Sequence, residues 1–476
     1  MQQVKHSAYI AQKKQAARQL LDRLLEKYRY VSVLLTDCGG KRYRVARSGI
    51  SVAQSTMFGG KGMVVKVYDG RGYAEYSTND LTEQNAASIA EEIEKRLVPL
   101  AQALPEGLQE STYRMLADEP CSFRKATSYE IHPRDLGDEQ IVARLTALRE
   151  KTLAGQPELL DAMAGLEYQE YHKLFLSAHR EMEQSVLWTT GNVAAIAGRN
   201  GRTETSYRGF SNLGGAELLD TMEQRSGDVA KTAVELLDAQ PMEPGTYECI
   251  CDPDVTGMIV HEAFGHGVEM DMFVKDRAMA RHYVGKPVAS ELITMHDGCA
   301  VNEVATYFFD DEGTLSHDTV IIDRGILKAG ISDAQSAMHL GTEPTGNGRR
   351  ESYERKAYTR MTNTYFEPGK DKVEDMIASV KYGMLLEQPS SGMEDPKNWG
   401  IQCMVSIARE IRDGKLTGRI FSPIVLTGYV PDLLKSITMV SDGLALGGSG
   451  ACGKGYKEWV KVSDGGPYIK ANIRLG

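Results

Sequence analysis

Two imidazoles and a carboxylate fall within six residues in the segment HEAFGH, His261 to His266. These are groups from which a hydrolytic metal centre is built. Zinc favours imidazole and thiolate donors, and a catalytic site uses three protein ligands and keeps a fourth position open for water. Glu262, next to the first histidine, is the carboxylate that would take a proton from that water, as in the related HExxH peptidase motif. The spacing differs from HExxH. His261 and His266 are i and i+5, about 140° apart around an ideal α-helix. Both rings can face one ion only if the helix widens into a π-type turn or breaks. Gly265 and Gly267, on either side of His266, make either distortion inexpensive. The spacing therefore predicts a non-ideal helix. The competing reading of the same residues is one buried, hydrogen-bonded histidine and one exposed one.

A third ligand is required, and the residue types leave His282, His296, Cys299 and Cys452 open. Around Cys452 the glycine-rich run GGSGACGKGYK would let the backbone come close to an ion. Glu269 and Asp271 are candidates for accepting from the imidazoles and orienting them. Arg349, Arg350 and Arg360 could stabilise an oxyanion or a peptide carboxylate, or serve as structural ion pairs.

The elements that must position these groups can be read from periodicity. Leu20, Leu21, Leu24, Leu25 and Tyr28 recur at helical spacing near the start. From Tyr30 the period becomes two, in VSVLLTD, KRYRVARSG, ISVAQSTMF and GMVVKVYDGRGYAEYST, with Asp69-Gly70 as a hairpin turn. A helix capped by Asn79 or Asp80 should bury Leu81, Ile89, Ile93 and Leu97. A loop-like stretch with Pro105, Pro120 and Pro133 leads to a helix carrying Ile141, Val142, Leu145 and Leu148. Two more strands turn at Asn200-Gly201, and a helix from Ala216 to Leu237 follows. Beyond the junction PMEPGTYECICDP, strand signals dominate, among them TYFFDDEGTL, TVIIDRGILKAGI and TNTYFEPG.

The expected fold class is α+β: an N-terminal antiparallel sheet with packed helices, then a mostly antiparallel β domain carrying the HExxxH helix. A chain of 476 residues exceeds one ordinary core, and the expected domains are 1–240 and 241–476. Net charge is −10, which makes nucleic acid a poor partner. No apolar run reaches the ~20 residues of a membrane span, and the N-terminus lacks the apolar core of a signal peptide. Seven scattered cysteines argue for a reducing compartment, so the expected location is the cytoplasm.

Five segments occur in order across the C-terminal half: HEAFGHGVEMD, LKAGISDAQSAMHLGTEPTGNGRRES, RMTNTYFEPG, DGKLTGRIFSPIVLTGYVPDLLKSI and GACGKG. Together they resemble the TldD/PmbA family, bacterial and archaeal metallopeptidases also known as modulators of DNA gyrase. The N-terminal half is similar more loosely, mainly in GMVVKVYDGRGYAEYSTND. The TldD-like branch of that family keeps HExxxH, while the PmbA- or TldE-like branch lacks the ligands. With His261, Glu262, His266 and Cys452 in place, the chain resembles the catalytic branch. The resemblance implies Zn2+ held by His261, His266 and Cys452, with Glu262 as general base. It also implies unfolded or extended peptides as substrates, and a homodimer or a heterodimer with an inactive TldE/PmbA-like paralogue. The chain departs from the family pattern at Met270, before Asp271, and at Trp399. Two rival functions share the ligands. One is a non-catalytic regulatory subunit of gyrase-modulator type with a structural metal; the other is a hydrolase of small amides. A structural zinc site has no use for Glu262 beside it.

Overall fold

The computed structural model describes residues 1–55, 58–97, 113–456 and 458–476; Pro105 lies outside them. The first helix, Ala8–Leu25, starts where the Ser7 side chain accepts from Ile10 N–H. It buries Ile10, Leu20, Leu21 and Leu24 against an eight-stranded sheet. In sheet order the main strands are Arg202–Asn212, Arg180–Arg199, Leu159–Leu176, Tyr30–Ala46, Lys61–Tyr68 and Tyr73–Thr78, each antiparallel to the next. VSVLLTD and KRYRVARSG run as one strand, Tyr30–Ala46. Asn200 and Gly201 both have positive φ, 52° and 81°, as a two-residue hairpin turn requires. The helix Asp138–Leu153 lays Ile141, Leu145 and Leu148 on the same sheet.

Three local expectations need correction. The second helix begins at Ala86, not at residue 80, because Thr82 and Asn85 form a reciprocal turn before it. In that turn Thr82 N–H donates to Asn85 Oδ1 (2.7 Å) and Asn85 N–H to Thr82 Oγ1 (3.2 Å). The helix expected over Ala216–Leu237 is two, Leu218–Arg225 and Gly227–Leu236, interrupted at Ser226 beside a poor helix former. TYFFDDEGTL is not a strand. Asp310 Oδ1 accepts from Glu312 N–H and Thr314 N–H, each at 2.9 Å, and curls the segment into a turn instead.

The C-terminal half is built on two large sheets, with two short two-stranded ones beside them. Strands Gly245–Cys251, Tyr382–Asp395, Gly400–Arg412, Ile424–Tyr429 and Ile469–Leu475 close into a ring. The ring closes because Gly245–Cys251 pairs in parallel with Tyr382–Asp395 and antiparallel with Ile469–Leu475. A six-stranded sheet lies beside it, in the order Ile326–Leu327, Thr319–Asp323, Met295–Asp297, Asn363–Phe366, Ser463–Gly466 and Ala445–Gly447. The helical run beginning at Pro253 packs between them and buries Val255, Ile259, Val260 and Phe264 in the shared core. Ion pairs join the two halves of the chain: Arg350 to Glu75 at 2.6 Å, Lys66 to Glu312, and Lys173 to Asp311. Among the described residues no helix is long and apolar enough to cross a membrane.

Candidate metal centre

Asp252 caps the helix Pro253–Met258 by accepting from Val255 N–H at 2.8 Å. The helix then widens into a π-type turn over Ile259–Gly265 and tightens to 3-10 at His266–Val268. His266 N–H donates to the His261 carbonyl, five residues back. That bond brings the two rings together, with centroids 5.1 Å apart and planes at 87°. The widened turn is tightly enclosed. A Cβ added at Gly265 would lie 2.2 Å from Met361 Sδ.

Cys452 arrives from a distant two-stranded hairpin, Ala451–Lys454 with Glu458–Lys461. Its Sγ lies 3.5 Å from His266 Nε2, and one ligand atom from each of His261, His266 and Cys452 falls within 4.8 Å of the others. The remaining candidates for third ligand are engaged elsewhere or outside the cluster. His296 is held at both nitrogens, by Asp318 (2.6 Å) and Glu367 (2.9 Å). His282 is exposed beside Asp276 at 3.3 Å. Cys299 is not part of the cluster.

The donor set suits zinc. Burial opposes a charged thiolate at Cys452, yet His261 and His266 outweigh it and hold the thiol well below its usual range. Burial likewise opposes a charged His261, and Cys452 overrides it, raising the imidazole to about 9. A thiolate formed in a buried place, with two nitrogen donors facing it, is what a divalent ion requires. His261 Nδ1 is buried without a hydrogen-bond partner, at ion-pair distance (3.7 Å) from Asp464 Oδ2.

Around the three donors the chain builds a support. Glu269 Oε2 lies 3.0 Å from His266 Nδ1, which leaves Nε2 directed at the Cys452 side. Burial would raise the Glu269 carboxyl, but Lys454 and His266 outweigh it and hold it at about 2. Lys454, two residues after Cys452, reaches Glu269 at 3.0 Å and Asp271 at 2.7 Å. Of the two acids expected to orient the imidazoles, Glu269 touches one, and Asp271 pairs with the lysine instead.

Glu262 is half-buried and lies against Gly392 of the strand Tyr382–Asp395. A Cβ at position 392 would fall 2.4 Å from Glu262 Cγ. Two residues along, Glu394 has both carboxylate oxygens buried with no hydrogen-bond partner, as does the indole nitrogen of Trp399. Both groups face Gly267, where a Cβ would meet Glu394 Oε1 at 2.7 Å and Trp399 Nε1 at 3.7 Å. Burial raises the Glu394 carboxyl well above the carboxylate range. Gly392, Glu394 and Lys454 were not singled out from the sequence. Lys454 alone had a local signal, its place beside Cys452 in the glycine-rich run.

The three arginines have structural partners. Arg360 donates to the Cys452 carbonyl (2.6 Å) and the Glu458 carbonyl (3.0 Å), clamping the hairpin that carries the sulfur. Arg349 donates to the carbonyls of Met361 and Lys461, both at 2.6 Å. Arg350 is the ion-pair partner of Glu75.

Residues 244–473 match the family model described as the PmbA/TldA metallopeptidase C-terminal domain. The metalloprotease TldD homolog of Buchnera aphidicola (subsp. Acyrthosiphon pisum) is 34% identical over 58% of this chain and 57% of its own length. The zinc metalloprotease TldD homolog of Saccharolobus solfataricus is 29% identical over 54% of this chain and 57% of its own. The match thus spans a little over half the length of these curated relatives. Among solved structures, TldE from Thermococcus kodakarensis superposes with a TM-score of 0.73 over 97% of this chain and 100% of its own. At 17% identity that likeness speaks for the fold alone. On these matches, residues 244–473 of the chain carry a PmbA/TldA metallopeptidase C-terminal domain, shared with relatives named TldD homolog.

Proposed function

We propose that the chain is a zinc-dependent peptidase acting on unfolded or extended peptides. In this reading His261, His266 and Cys452 are the metal ligands and Glu262 is the general base. The observation that carries it is the convergence of three donor atoms within 4.8 Å, two from the segment His261–His266 and one from 186 residues beyond His266. Two nitrogens and a thiolate favour zinc over harder cations. A zinc ion held there would supply Lewis acidity toward water and toward the scissile carbonyl. Glu262 takes the proton of the attacking water on its carboxylate and returns it to the departing amine. Glu269 keeps the His266 tautomer fixed, and Lys454 keeps Glu269 in place.

In this reading an extended peptide adds to the sheet at its edge strand, Ala445–Gly447, through main-chain hydrogen bonds. Its neighbour in the sheet, Ser463–Gly466, carries the Asp464 that faces His261. Residues 241–476 form the catalytic domain in this reading and residues 1–240 a supporting one. The working species is a dimer, of two copies or with a TldE/PmbA-like paralogue, in the cytoplasm. Seven free cysteines fit a reducing compartment.

The test is metal analysis and hydrolysis of an unstructured peptide, with a paralogue supplied, for wild type, Glu262→Gln and Cys452→Ser. Glu262→Gln keeps its zinc and loses on the order of 100-fold or more in rate. Cys452→Ser loses the zinc. Wild-type cutting by Glu262→Gln would reject the assigned base, whereas a wild type that holds zinc and cuts nothing would leave the regulatory subunit with a structural metal.

A further inference from the structure

Between the N-terminal sheet and the Cys452 hairpin lies a partly open cavity of about 40 Å3, walled by Tyr171, Trp188, Tyr307 and Trp459. At ~10–15 Å3 per water, it has room for a few waters or one small planar group. Two of the cations on its wall have no acid partner among the described residues. Lys461, 3% exposed, sits over the Trp188 ring at 4.9 Å and gives one N–H to the Gly450 carbonyl at 2.7 Å. Arg349, also on the wall, meets only the two main-chain carbonyls already described and the face of Tyr307. Among the described residues neither cation has a carboxylate within ion-pair distance.

The acids on the wall are already engaged. Asp310 accepts from the N–H groups of Glu312, Thr314 and Gly348. Asp311 takes Lys173 and Arg350 N–H, and Glu351 accepts from Trp459 N–H. Trp188 is 1% exposed, and its indole nitrogen has no partner. An ammonium has three donors and a guanidinium five, so both cations hold donors in reserve. A buried polar group without a partner is costly, and here the Trp188 indole nitrogen borders the same small space as two cations with donors to spare.

We propose that this cavity is a binding site for a small carboxylate, held by Lys461, Arg349 and the Trp188 indole N–H. A singly charged planar anion fits the size and the aromatic wall. A phosphate dianion would lose far more hydration on entering. Burial pushes the Lys461 amine down to about 7, and an anion beside it would restore the charge. The carboxylate can be a free small acid or the C-terminus of a peptide, and the two are separable by experiment. The site does not depend on the peptidase reading, since none of its three donors is a proposed metal ligand.

The test uses the full-length, zinc-loaded protein with acetate, glycylglycine and glycylglycinamide at constant ionic strength, read by tryptophan fluorescence and thermal midpoint. Acetate gives a saturable change in both readouts. A matching change with glycylglycine and none with the amide assigns a peptide terminus; a change with acetate alone assigns a free acid. Lys461→Met weakens the response on the order of 10-fold or more, and Trp188→Phe, which removes the N–H donor together with part of the ring and is read by thermal midpoint alone, by about 5-fold. The phenylalanine variant carries the test if the methionine variant does not fold. No saturable response in wild type, or undiminished responses in the variants that fold, overturns the proposal.

Discussion

The Nδ1 of His266 lies 3.0 Å from Glu269, and that contact decides which nitrogen the ring offers to a metal. Held at about 2 by Lys454 and His266 against the effect of burial, the carboxylate stays charged throughout the neutral range. Glu269→Gln is expected to weaken zinc binding roughly 10- to 100-fold, read by competition with a chelator, with the fold unchanged by circular dichroism. At this scale HEAFGH was legible because all its chemistry lies in six adjacent letters. The third donor was open on residue types alone, and only the resemblance pointed to Cys452. His296 and Cys452 look alike in a sequence, and only the fold places His296 between Asp318 and Glu367 while Cys452 joins the cluster. Glu394 left no trace, because its neighbour Gly267 is more than a hundred residues away along the chain.

The i, i+5 spacing asks for a helix that is not α, and the chain forms a π-type turn over Ile259–Gly265. The strand behind that turn is equally demanding. Gly392 leaves the space in which Glu262 lies, and a methyl there would sit 2.4 Å from Glu262 Cγ. Gly392→Ala should therefore keep its zinc while hydrolysis falls on the order of 10-fold or more, since a misplaced base loses its geometry. Equal activity in this variant would show that Glu262 does not act from the position it occupies. Among the other elements, the Asn200-Gly201 hairpin was legible because its turn type is encoded by two residues. Thr306–Leu315 was misread because its apolar letters suit a strand while the Asp310 side chain captures the N–H groups of Glu312 and Thr314.

Across the whole molecule, Glu75 on the N-terminal sheet ties to Arg350 (2.6 Å) and Lys66 (3.2 Å), and Lys66 in turn to Glu312. Burial pushes the Glu75 carboxyl up, but Lys66 and Arg350 outweigh it and bring it from 4.5 to about 2. A carboxyl depressed in the folded state stabilises fully above its unfolded value, and that contribution fades as pH falls from about 4.5 toward 2. Glu75→Gln should cost on the order of 2 kcal/mol in denaturant titrations at pH 7, partly screened by solvent, with the gap to wild type closing below pH 4. A gap independent of pH would assign the loss to packing instead. This tie was half legible: Arg350 was open as an ion-pair residue, but its partner lies 275 positions earlier. The ring of strands has a consequence in time. Ile469–Leu475 is the piece that seals it, pairing with Gly245–Cys251, the first of its strands to be made. Translation delivers that sealing piece after every other part of the ring, and Cys452 long after the two imidazoles. A growing chain on the ribosome would thus hold the two imidazoles before their sulfur neighbour exists, and a chain cut short before Ile469 would lack the strand that closes the ring.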